Sequence, residues 1–296
     1  MINIGKELKY DKDALKNSYE EAKSNLEFEE FLNKIKVKDE IKMKYTSSLE
    51  ESFCEYSNCL NCSGLNDCKN KMLGYSYLPK ISSGIITFNY KPCKYKLNQD
   101  KKYSYLKNVK YFNLPDNYKD ATWDKVDKRL KSRQEVISYM IKFINEPSSK
   151  GLYLSGNFGC GKTFIIVAAF NELAKKNIKS AVIFWPEFLR ELKSSFDTDY
   201  EDRFDYIKKV PLLLIDDLGA EATTLWSRDE ILCPILQYRM DNNLATFITS
   251  NLNMDALEKH LAQTKEGVEV VKAKRIIERI KYLTDELEMI SKNMRN

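Results

Sequence analysis

The segment that most constrains the fold of this chain places three glycines, a lysine and a threonine within eight residues. It comprises Gly156, Asn157, Phe158, Gly159, Cys160, Gly161, Lys162 and Thr163, and it fits the pattern G-x-x-x-x-G-K-[ST]. The apolar run 151–155 before it predicts a buried strand, and the run 164–170 after it predicts a helix. Glycines permit a tight loop whose backbone N–H groups converge on phosphate oxygens at a helix N-terminus. This context predicts a phosphate-binding loop; the alternative is a glycine-rich turn in an unrelated α/β protein.

A second predicted strand supplies the carboxylates that such a site needs. The apolar segment 211–215 is followed by Asp216 and Asp217, the pattern of a Walker B element. We expect Lys162 to reach the β- and γ-phosphates of ATP, and Thr163 and Asp216 to hold Mg²⁺. Asp217 is then expected to orient the attacking water, because the carboxyl ends of parallel strands meet at one edge of a sheet. Alternatively, the two carboxylates only cap a buried strand.

A third predicted strand, at 245–249, has a polar tip that ends in Asn251. We expect the Asn251 amide to hydrogen-bond the γ-phosphate or the attacking water, with a turn-forming asparagine as the alternative. The Asp216-Asp217 pair and Asn251 together favour water, rather than a small-molecule hydroxyl, as the phosphoryl acceptor. A P-loop kinase or a GTPase is a weaker interpretation, since no Asn-Lys-x-Asp run marks guanine specificity.

The chain from about Thr122 onward alternates predicted strands and helices. Such alternation predicts an α/β fold with a mostly parallel sheet that is covered by helices on both faces. The strands are expected at 151–155, 180–185, 211–215 and 245–249, and the helices near 128–145, 163–176, 186–194, 199–208, 226–242, 253–262 and 268–283.

The N-terminal part of the chain has a different character. Residues 6–55 repeat apolar side chains at three- and four-residue steps, which predicts a small amphipathic helical unit, and residues 54–93 hold five of the seven cysteines. We therefore expect a helical and cysteine-rich domain at 1–93, a basic, tyrosine-rich linker at 94–120 and the α/β domain at 121–296.

Positive charge is concentrated around the predicted linker. Between Lys91 and Arg133 there are thirteen Lys or Arg residues against five Asp. This density indicates a contact with nucleic acid or with an acidic protein, and the interleaved tyrosines could stack on bases. A solvated linker, or one that docks on a neighbouring domain, is the alternative.

The overall composition favours a soluble, cytoplasmic protein. Hydrophobic residues make up 43% and charged residues 31% of the chain, with a mean hydropathy of −0.50. No apolar run approaches the ~20 residues needed to cross a bilayer, and the N-terminus lacks the apolar core of a signal peptide. We therefore expect no membrane contact.

Four cysteines in the N-terminal part have the spacing of a metal site. They are Cys59, Cys62, Cys68 and Cys93. A short segment with few large apolar side chains needs a staple, and a tetrahedral Zn²⁺ ion bound by four thiolates supplies one. Cys54 is the reserve ligand, and an Fe–S cluster is the less favoured alternative. All-cysteine ligation is favoured because the one histidine, at position 260, lies far along the chain.

Taken in order, the three phosphate-site elements resemble those of the AAA+ ATPases. The stretches 212–221 (LLLIDDLGAE), 249–252 (TSNL) and 275–279 (RIIER) are similar to one branch, the DnaC/DnaI-type helicase loaders, which are kin to the initiator DnaA. The resemblance covers about 115–296, and the cysteine-rich N-terminal part is similar to that of DnaI-like members. It implies an AAA+ fold, ATP or ADP as the nucleotide, and a nucleotide site shared between subunits.

The resemblance also implies that an arginine from a neighbouring subunit completes the site. Arg279 matches the position of this arginine finger, and Arg275 lies one helical turn before it. Arg239 is a second candidate for a contact between subunits. Arg295 falls near the position of a sensor arginine, although that assignment is weak because it lies so close to the last residue of the sequence.

The function that the resemblance implies is ATP-dependent loading of the replicative hexameric helicase onto DNA, at initiation or restart of replication. The N-terminal domain would grip the helicase, while the AAA+ domain would bind ATP, single-stranded DNA and further copies of itself. Two alternatives stay open. One is an IstB-type transposition-helper ATPase that acts on duplex DNA, and the other is a non-enzymatic zinc- and nucleotide-binding adaptor.

Overall fold

The computed structural model describes residues 12–82, 84–194, 199–265, 267–291 and 293–294 of the 296-residue chain. The chain divides into two compact units, with the boundary between Ser104 and Tyr105. Within the described residues, no helix is both long and apolar enough to cross a bilayer.

The first unit combines short helices with one β-hairpin. The helices are α1 (Lys12–Lys23), α2 (Leu26–Asn33), α3 (Asp39–Lys42), α4 (Thr46–Leu60) and α5 (Lys94–Lys102), and the antiparallel strands are β1 (Tyr75–Ser82) and β2 (Ile85–Pro92). The helical prediction for this region is confirmed by α1 to α4 from Lys12 onward, and residues 6–11 lie outside the described part of the chain. Asn25 begins α2 because its side chain accepts hydrogen bonds from the backbone N–H groups of Glu27 and Phe28.

The core of the first unit is small and aromatic. Tyr19, Phe28, Leu32 and Leu49 are almost completely buried between the helices, and Ile86 of β2 is buried against them. The Phe28 ring packs edge-on against Phe53, with 5.4 Å between centroids. A core of this size gives limited stability on its own, which is consistent with the expected need for a staple.

The second unit is built on a six-stranded sheet in which every neighbouring pair of strands is parallel. Its spatial order is β10-β4-β7-β6-β5-β3. The strands are β3 (Val109–Phe112), β4 (Gly151–Gly156), β5 (Ser180–Phe184), β6 (Leu212–Asp216), β7 (Ala245–Ser250) and β10 (Thr284–Met289). A short hairpin, whose strands β8 (Gln263–Thr264) and β9 (Gly267–Val268) have two residues each, lies outside this sheet. The four predicted strands are confirmed.

Helices cover both faces of this sheet. They are α6 (Gln134–Asn145), α7 (Lys162–Lys175), α8 (Trp185–Ser194), α9 (Asp199–Lys209), α10 (Cys233–Asp241), α11 (Met254–Ala262) and α12 (Val270–Leu283). Residues of β6 alternate between two cores. Leu212 and Leu214 pack with α6 and α7, whereas Leu213 and Ile215 pack with α8, α10, α11 and α12. This burial on both faces explains why the strand reads as an unbroken apolar run.

Two edge strands were not predicted. β10 has the charged sequence Thr-Asp-Glu-Leu-Glu-Met, and it pairs only with β4, so solvent reaches much of it. β3 comes from the segment expected to be a linker. Residues 94–120 instead contribute α5 to the first unit and β3 to the second, followed by a 3₁₀ turn at Asp116–Asp120.

The prediction that Arg239 contacts a neighbouring subunit is wrong, because this side chain is completely buried. Its Nε donates to Thr246 Oγ1 at 2.8 Å. Its two terminal nitrogens donate to backbone carbonyls of Ile207, Lys208, Val210, Pro211 and Ala245. The guanidinium therefore ties the end of α9 to the starts of β6 and β7.

Candidate nucleotide site

The glycine-rich loop joins the end of β4 to the start of α7 and uses its glycines for backbone geometry. Gly156, Gly159 and Gly161 have φ angles of 146°, 70° and 93°, a range that L side chains rarely adopt. A Cβ at Gly156 would also lie 2.0 Å from the carbonyl oxygen of Met289 in β10. A side chain at Gly156 would be strained and would also clash with Met289. The three glycines thus let the loop keep the shape that presents its N–H groups at the helix N-terminus.

Lys162 is the first residue of α7, and its ammonium group lies within the loop. Its Nζ donates to the carbonyl oxygens of Gly156 and Asn157, at 2.8 and 2.9 Å, and to Asn251 Oδ1 at 2.8 Å. These acceptors come from the ends of β4 and β7, which are neighbours in the sheet. A positive charge is therefore held at the mouth of the loop, where phosphate oxygens can replace the carbonyls as acceptors.

The Asp216 carboxylate lies at the end of β6 and accepts two hydroxyl hydrogen bonds through one oxygen. Thr163 Oγ1 donates to Asp216 Oδ1 at 2.5 Å, and Thr249 Oγ1 donates to it at 2.6 Å. Burial raises the pKa of the Asp216 carboxyl above its ordinary value, with the neighbouring Asp217 adding to the shift and the two hydroxyls opposing it. A buried carboxylate beside a threonine hydroxyl is an oxygen-ligand set that suits Mg²⁺.

Asp217 lies next to this pair in a left-handed backbone conformation, with φ 60°. Its backbone N–H donates to Thr249 Oγ1 at 2.9 Å, and its Oδ1 accepts from Asn251 Nδ2 at 2.7 Å. Asn251 therefore bridges Lys162 and Asp217, since its amide oxygen faces the first and its amide nitrogen faces the second. The structure thus brings together all five polar side chains that we predicted for the phosphate end of the site.

Sequence reasoning missed Thr249, which holds both carboxylate residues. It accepts from the Asp217 backbone and donates to the Asp216 side chain, from the adjacent strand β7. The available signal was weak: a threonine near the end of an otherwise apolar strand is also an ordinary β-former.

A cleft of about 640 Å³ opens beside the loop, within the range of small-molecule sites. Its polar lining includes Lys162, Thr163, Asp216, Asp217 and Asn251. Its apolar lining comes from the segment before α6 and from the first turn of α7, namely Leu114, Pro115, Tyr118, Val126 and Phe164. The cleft therefore offers polar groups for phosphates and apolar walls for a base.

The remaining loop residues have simpler environments. Phe158 is 74% exposed at the loop tip, whereas the Cys160 side chain is fully buried. Cys160 is therefore a packing residue of the loop. Asn157 takes part through its carbonyl, which accepts from Lys162.

The arginines of α12 lie outside this cleft lining. Arg279 Nε donates to Gln237 Oε1 of α10 at 2.7 Å, and its Nη1 donates to the Arg275 carbonyl at 3.2 Å. Arg279 is half-buried and Arg275 is exposed. Arg295 lies outside the described residues.

The four cysteines predicted to bind zinc are half-buried, whereas Cys54 is exposed. Cys59 Sγ accepts from Asn70 Nδ2 at 3.4 Å and Cys68 Sγ from the Gly74 N–H at 3.3 Å, while the Cys93 N–H donates to the Gly74 carbonyl at 2.8 Å. In the described part of the chain, no group of three or more His, Cys, Asp or Glu side chains is arranged to hold a metal ion.

Comparison with known proteins places the chain in a family. No protein-family model matches it. The replicative helicase loader DnaI of Bacillus subtilis (strain 168) is 37% identical over 261 residues, which cover 86% of this chain and 83% of that protein. The chain belongs to the DnaI family of replicative helicase loaders. The resemblance to helicase loaders inferred from the motifs is therefore confirmed.

Solved structures agree with this assignment. A crystal structure of DnaI is 42% identical with a TM-score of 0.57, and the match covers 64% of this chain and 99% of that one. A putative primosome component from Streptococcus pyogenes serotype M3 is 32% identical with a TM-score of 0.57, covering 66% and 100% of the two chains. The DnaC helicase loader, at 24% identity and a TM-score of 0.50 over 59% of this chain and 99% of that one, shares the fold. The second unit thus has the AAA+ fold expected from the sequence.

Proposed function

We propose that this family member is an ATP-driven loader that places the replicative hexameric helicase on single-stranded DNA. One observation carries the proposal. In a chain 37% identical to DnaI, Thr163 and Asp216 meet at one position while Asp217 and Asn251 meet beside it. A nucleotide site retained only for structure would not need this second pair. Family membership also argues against the transposition-helper alternative.

The phosphates of ATP are proposed to bind in the glycine-rich loop, with the base against the apolar wall that includes Pro115 and Tyr118. Lys162 then exchanges the carbonyls of Gly156 and Asn157 for the β- and γ-phosphate oxygens. The positive end of the α7 dipole adds to this attraction. ATP and ADP both fit this arrangement, because the loop grips the phosphates they share.

Thr163 and Asp216 are proposed to hold Mg²⁺, which neutralises the charge of the β- and γ-phosphates when it is bound. The raised pKa of Asp216 is consistent with this role, because a cation would favour the ionised carboxylate in a buried position. Asp217 is proposed to orient the attacking water by accepting its proton. Asn251 keeps the Asp217 carboxylate in place through their 2.7 Å hydrogen bond. Since its amide oxygen accepts from Lys162, Asn251 is also proposed to bond the γ-phosphate or the attacking water.

Arg279 is proposed to act in the site of a neighbouring subunit. Its side chain donates to Gln237 and does not line the cleft of its own chain, which supports a role in the cleft of a second copy. An arginine supplied in this way stabilises the charge of the transferred phosphoryl group. Self-association through the AAA+ unit follows from this role.

The first unit is proposed to bind the helicase and to contain a zinc site. Backbone or side-chain N–H groups donate to the sulfurs of Cys59 and Cys68, as the outer hydrogen bonds around metal ligands commonly do. The backbone N–H of Gly74 donates to Cys68 Sγ, and the carbonyl of Gly74 accepts from the N–H of Cys93. The start of β1 and the end of β2 therefore bring Cys68 and Cys93 near the same glycine. The four sulfurs of Cys59, Cys62, Cys68 and Cys93 are not arranged around one point in the described structure, so Zn²⁺ would have to draw them together on binding. It would then add about 10–16 kcal/mol of apparent binding free energy to a small core.

Metal analysis is expected to find one zinc ion for each chain. Cys59→Ser and Cys68→Ser should each lose the metal and unfold the first unit, because the ion is part of its folding free energy. Cys54→Ser is the matched control, and it should keep the metal since Cys54 is exposed. Zinc measured by mass spectrometry near zero in reduced, chelator-free wild type would contradict the site. Zinc lost only from Cys54→Ser would contradict the ligand set.

The response of ATP turnover to DNA tests the proposed function. A loader working on chromosomal DNA in the cytoplasm should hydrolyse ATP slowly alone and faster with single-stranded DNA, while duplex of equal length should have little effect. Phosphate release with the two DNA forms, at several salt concentrations, measures this. Stimulation by duplex alone would favour the transposition helper. No turnover under any condition, despite ATP binding, would favour the non-enzymatic adaptor.

A further inference from the structure

Arg133 lies against the phosphate-binding loop, at the end of a 3₁₀ turn (Lys131–Arg133) just before α6. Its side chain is only 4% exposed, and it forms part of the lining of the nucleotide cleft. One terminal nitrogen donates to the carbonyl oxygen of Cys160. The same nitrogen lies 3.1 Å from the position that a Cβ would occupy on Gly161. The guanidinium is therefore in contact with the loop at the N-terminus of α7.

Arg133 forms no ion pair in the described part of the chain, and its buried Nε–H has no hydrogen-bond partner there. Asp127 lines the same cleft, but it accepts from the backbone N–H and the Nε of Arg129, at 3.1 and 3.3 Å. The hydrogen bonds from Arg129 are the main cause of the lowered pKa of the Asp127 carboxyl, and the more distant charge of Arg133 is the smallest contribution. A buried, unpaired charge is costly.

Two other buried arginines show how the protein normally satisfies this side chain. Arg228 donates to the carboxylates of Asp229 and Glu269, and Arg239 donates to a threonine hydroxyl and five backbone carbonyls. By contrast, Arg133 donates to one acceptor among the described residues, the carbonyl oxygen of Cys160. It also shares its surroundings with the Lys162 ammonium and with the positive end of α7. Three sources of positive potential thus lie at the same end of the cleft, an environment that favours an anion.

We infer that Arg133 is a second basic residue of the nucleotide site, whose charge is balanced by the phosphates of the bound nucleotide. The inference rests on the proposed function, because it requires that the cleft bind a nucleoside polyphosphate. The bond to Cys160 fixes the guanidinium beside the loop, and the nucleotide supplies the negative charge. The contribution of Arg133 should therefore grow with the number of phosphates and be almost nil for adenosine.

Two substitutions of Arg133 separate the effect of its charge from the effect of its hydrogen bond to the Cys160 carbonyl. Arg133→Gln keeps a side-chain N–H donor for the Cys160 carbonyl but removes the charge, whereas Arg133→Lys keeps the charge. Arg129→Gln is the matched control, because the Arg129 side chain is 93% exposed and, among the described residues, bonds Asp127 alone. The binding of ADP, ATP and adenosine to the full chain, with Mg²⁺ present, is measured by calorimetry. Thermal unfolding without nucleotide is recorded for each variant.

The expected result is a loss of about tenfold or more in ADP and ATP affinity for Arg133→Gln, a charge effect of the size seen for hydrogen bonds to charged groups. Arg133→Lys should stay within about threefold of wild type, and Arg129→Gln should be unchanged. Adenosine binding should be similar in all four proteins. Without nucleotide, Arg133→Gln should unfold at a temperature no lower than that of wild type, because it removes a buried, unpaired charge.

Other outcomes overturn the inference. ADP affinity in Arg133→Gln equal to that of wild type would do so. An equal loss in the Gln and Lys variants, with a lower unfolding temperature in both, would show that Arg133 only braces the loop. If Arg133→Gln fails to fold, the test is the ratio of ADP affinity to adenosine affinity in Arg133→Lys. Because this variant keeps the charge, a ratio far below that of wild type would contradict the inference. Failure of wild type to bind any nucleotide would instead remove the proposed function itself.

Discussion

Replacing Lys162 with alanine is expected to abolish ATP turnover while leaving the fold intact. Lys162 supplies the ammonium group at the mouth of the loop, where it is positioned by Gly156, Asn157 and Asn251. Removing a preorganised donor that stabilises developing charge costs about 10²–10³-fold in rate, and here the same group also binds the substrate. The steady-state rate of phosphate release should therefore fall below detection for a slow ATPase.

Lys175→Ala is the matched control for this experiment. Lys175 lies in the last turn of the same helix, and its exposed side chain pairs with Glu172 at 2.7 Å. The control should hydrolyse ATP at the wild-type rate, and both variants should unfold at similar temperatures. Detectable turnover by Lys162→Ala, at a rate that follows the protein through purification, would rule out this site as the ATPase centre.

Arg279→Ala is expected to bind ATP as wild type does but to lose about 10³-fold or more in hydrolysis rate. The side chain bonds Gln237 and lies outside the lining of its own cleft, so binding within one subunit does not need it. Arg275→Ala, one helical turn earlier and exposed, is the control and should retain more activity.

Mixing two inactive variants tests whether Arg279 acts between subunits. Lys162→Ala carries an intact Arg279, and Arg279→Ala carries an intact loop. A mixed assembly therefore contains some sites in which both parts are present, and turnover should reappear as the second variant is titrated into the first. No recovery at any ratio, under conditions where the two variants associate, would place Arg279 outside the active site.

The local parts of the site could be predicted from the sequence. The glycine-rich loop, Lys162 and Thr163 lie within eight consecutive residues, and their geometry depends on backbone angles that glycine alone adopts easily. The apolar runs around Asp216 and before Asn251 likewise identify buried parallel strands. The adjacency of β4, β6 and β7 then brings these side chains together.

The non-local parts could not be predicted. The role of Thr249 depends on β7 lying beside β6, and the burial of Arg239 depends on five carbonyls from two other segments. β3 and β10 are edge strands with charged residues, so their apolar pattern is weak. The contact of Arg133 with the loop spans 27 residues of sequence, and no local pattern indicates it.

The most direct test of the account is whether this chain forms a complex with the replicative hexameric helicase of its own organism. The two proteins are mixed with a slowly hydrolysed ATP analogue, and the mass of the mixture is measured by light scattering after gel filtration. The account predicts a complex of one helicase hexamer with several copies of this chain. Two separate species, in conditions where the chain binds nucleotide and zinc, would contradict the loader function.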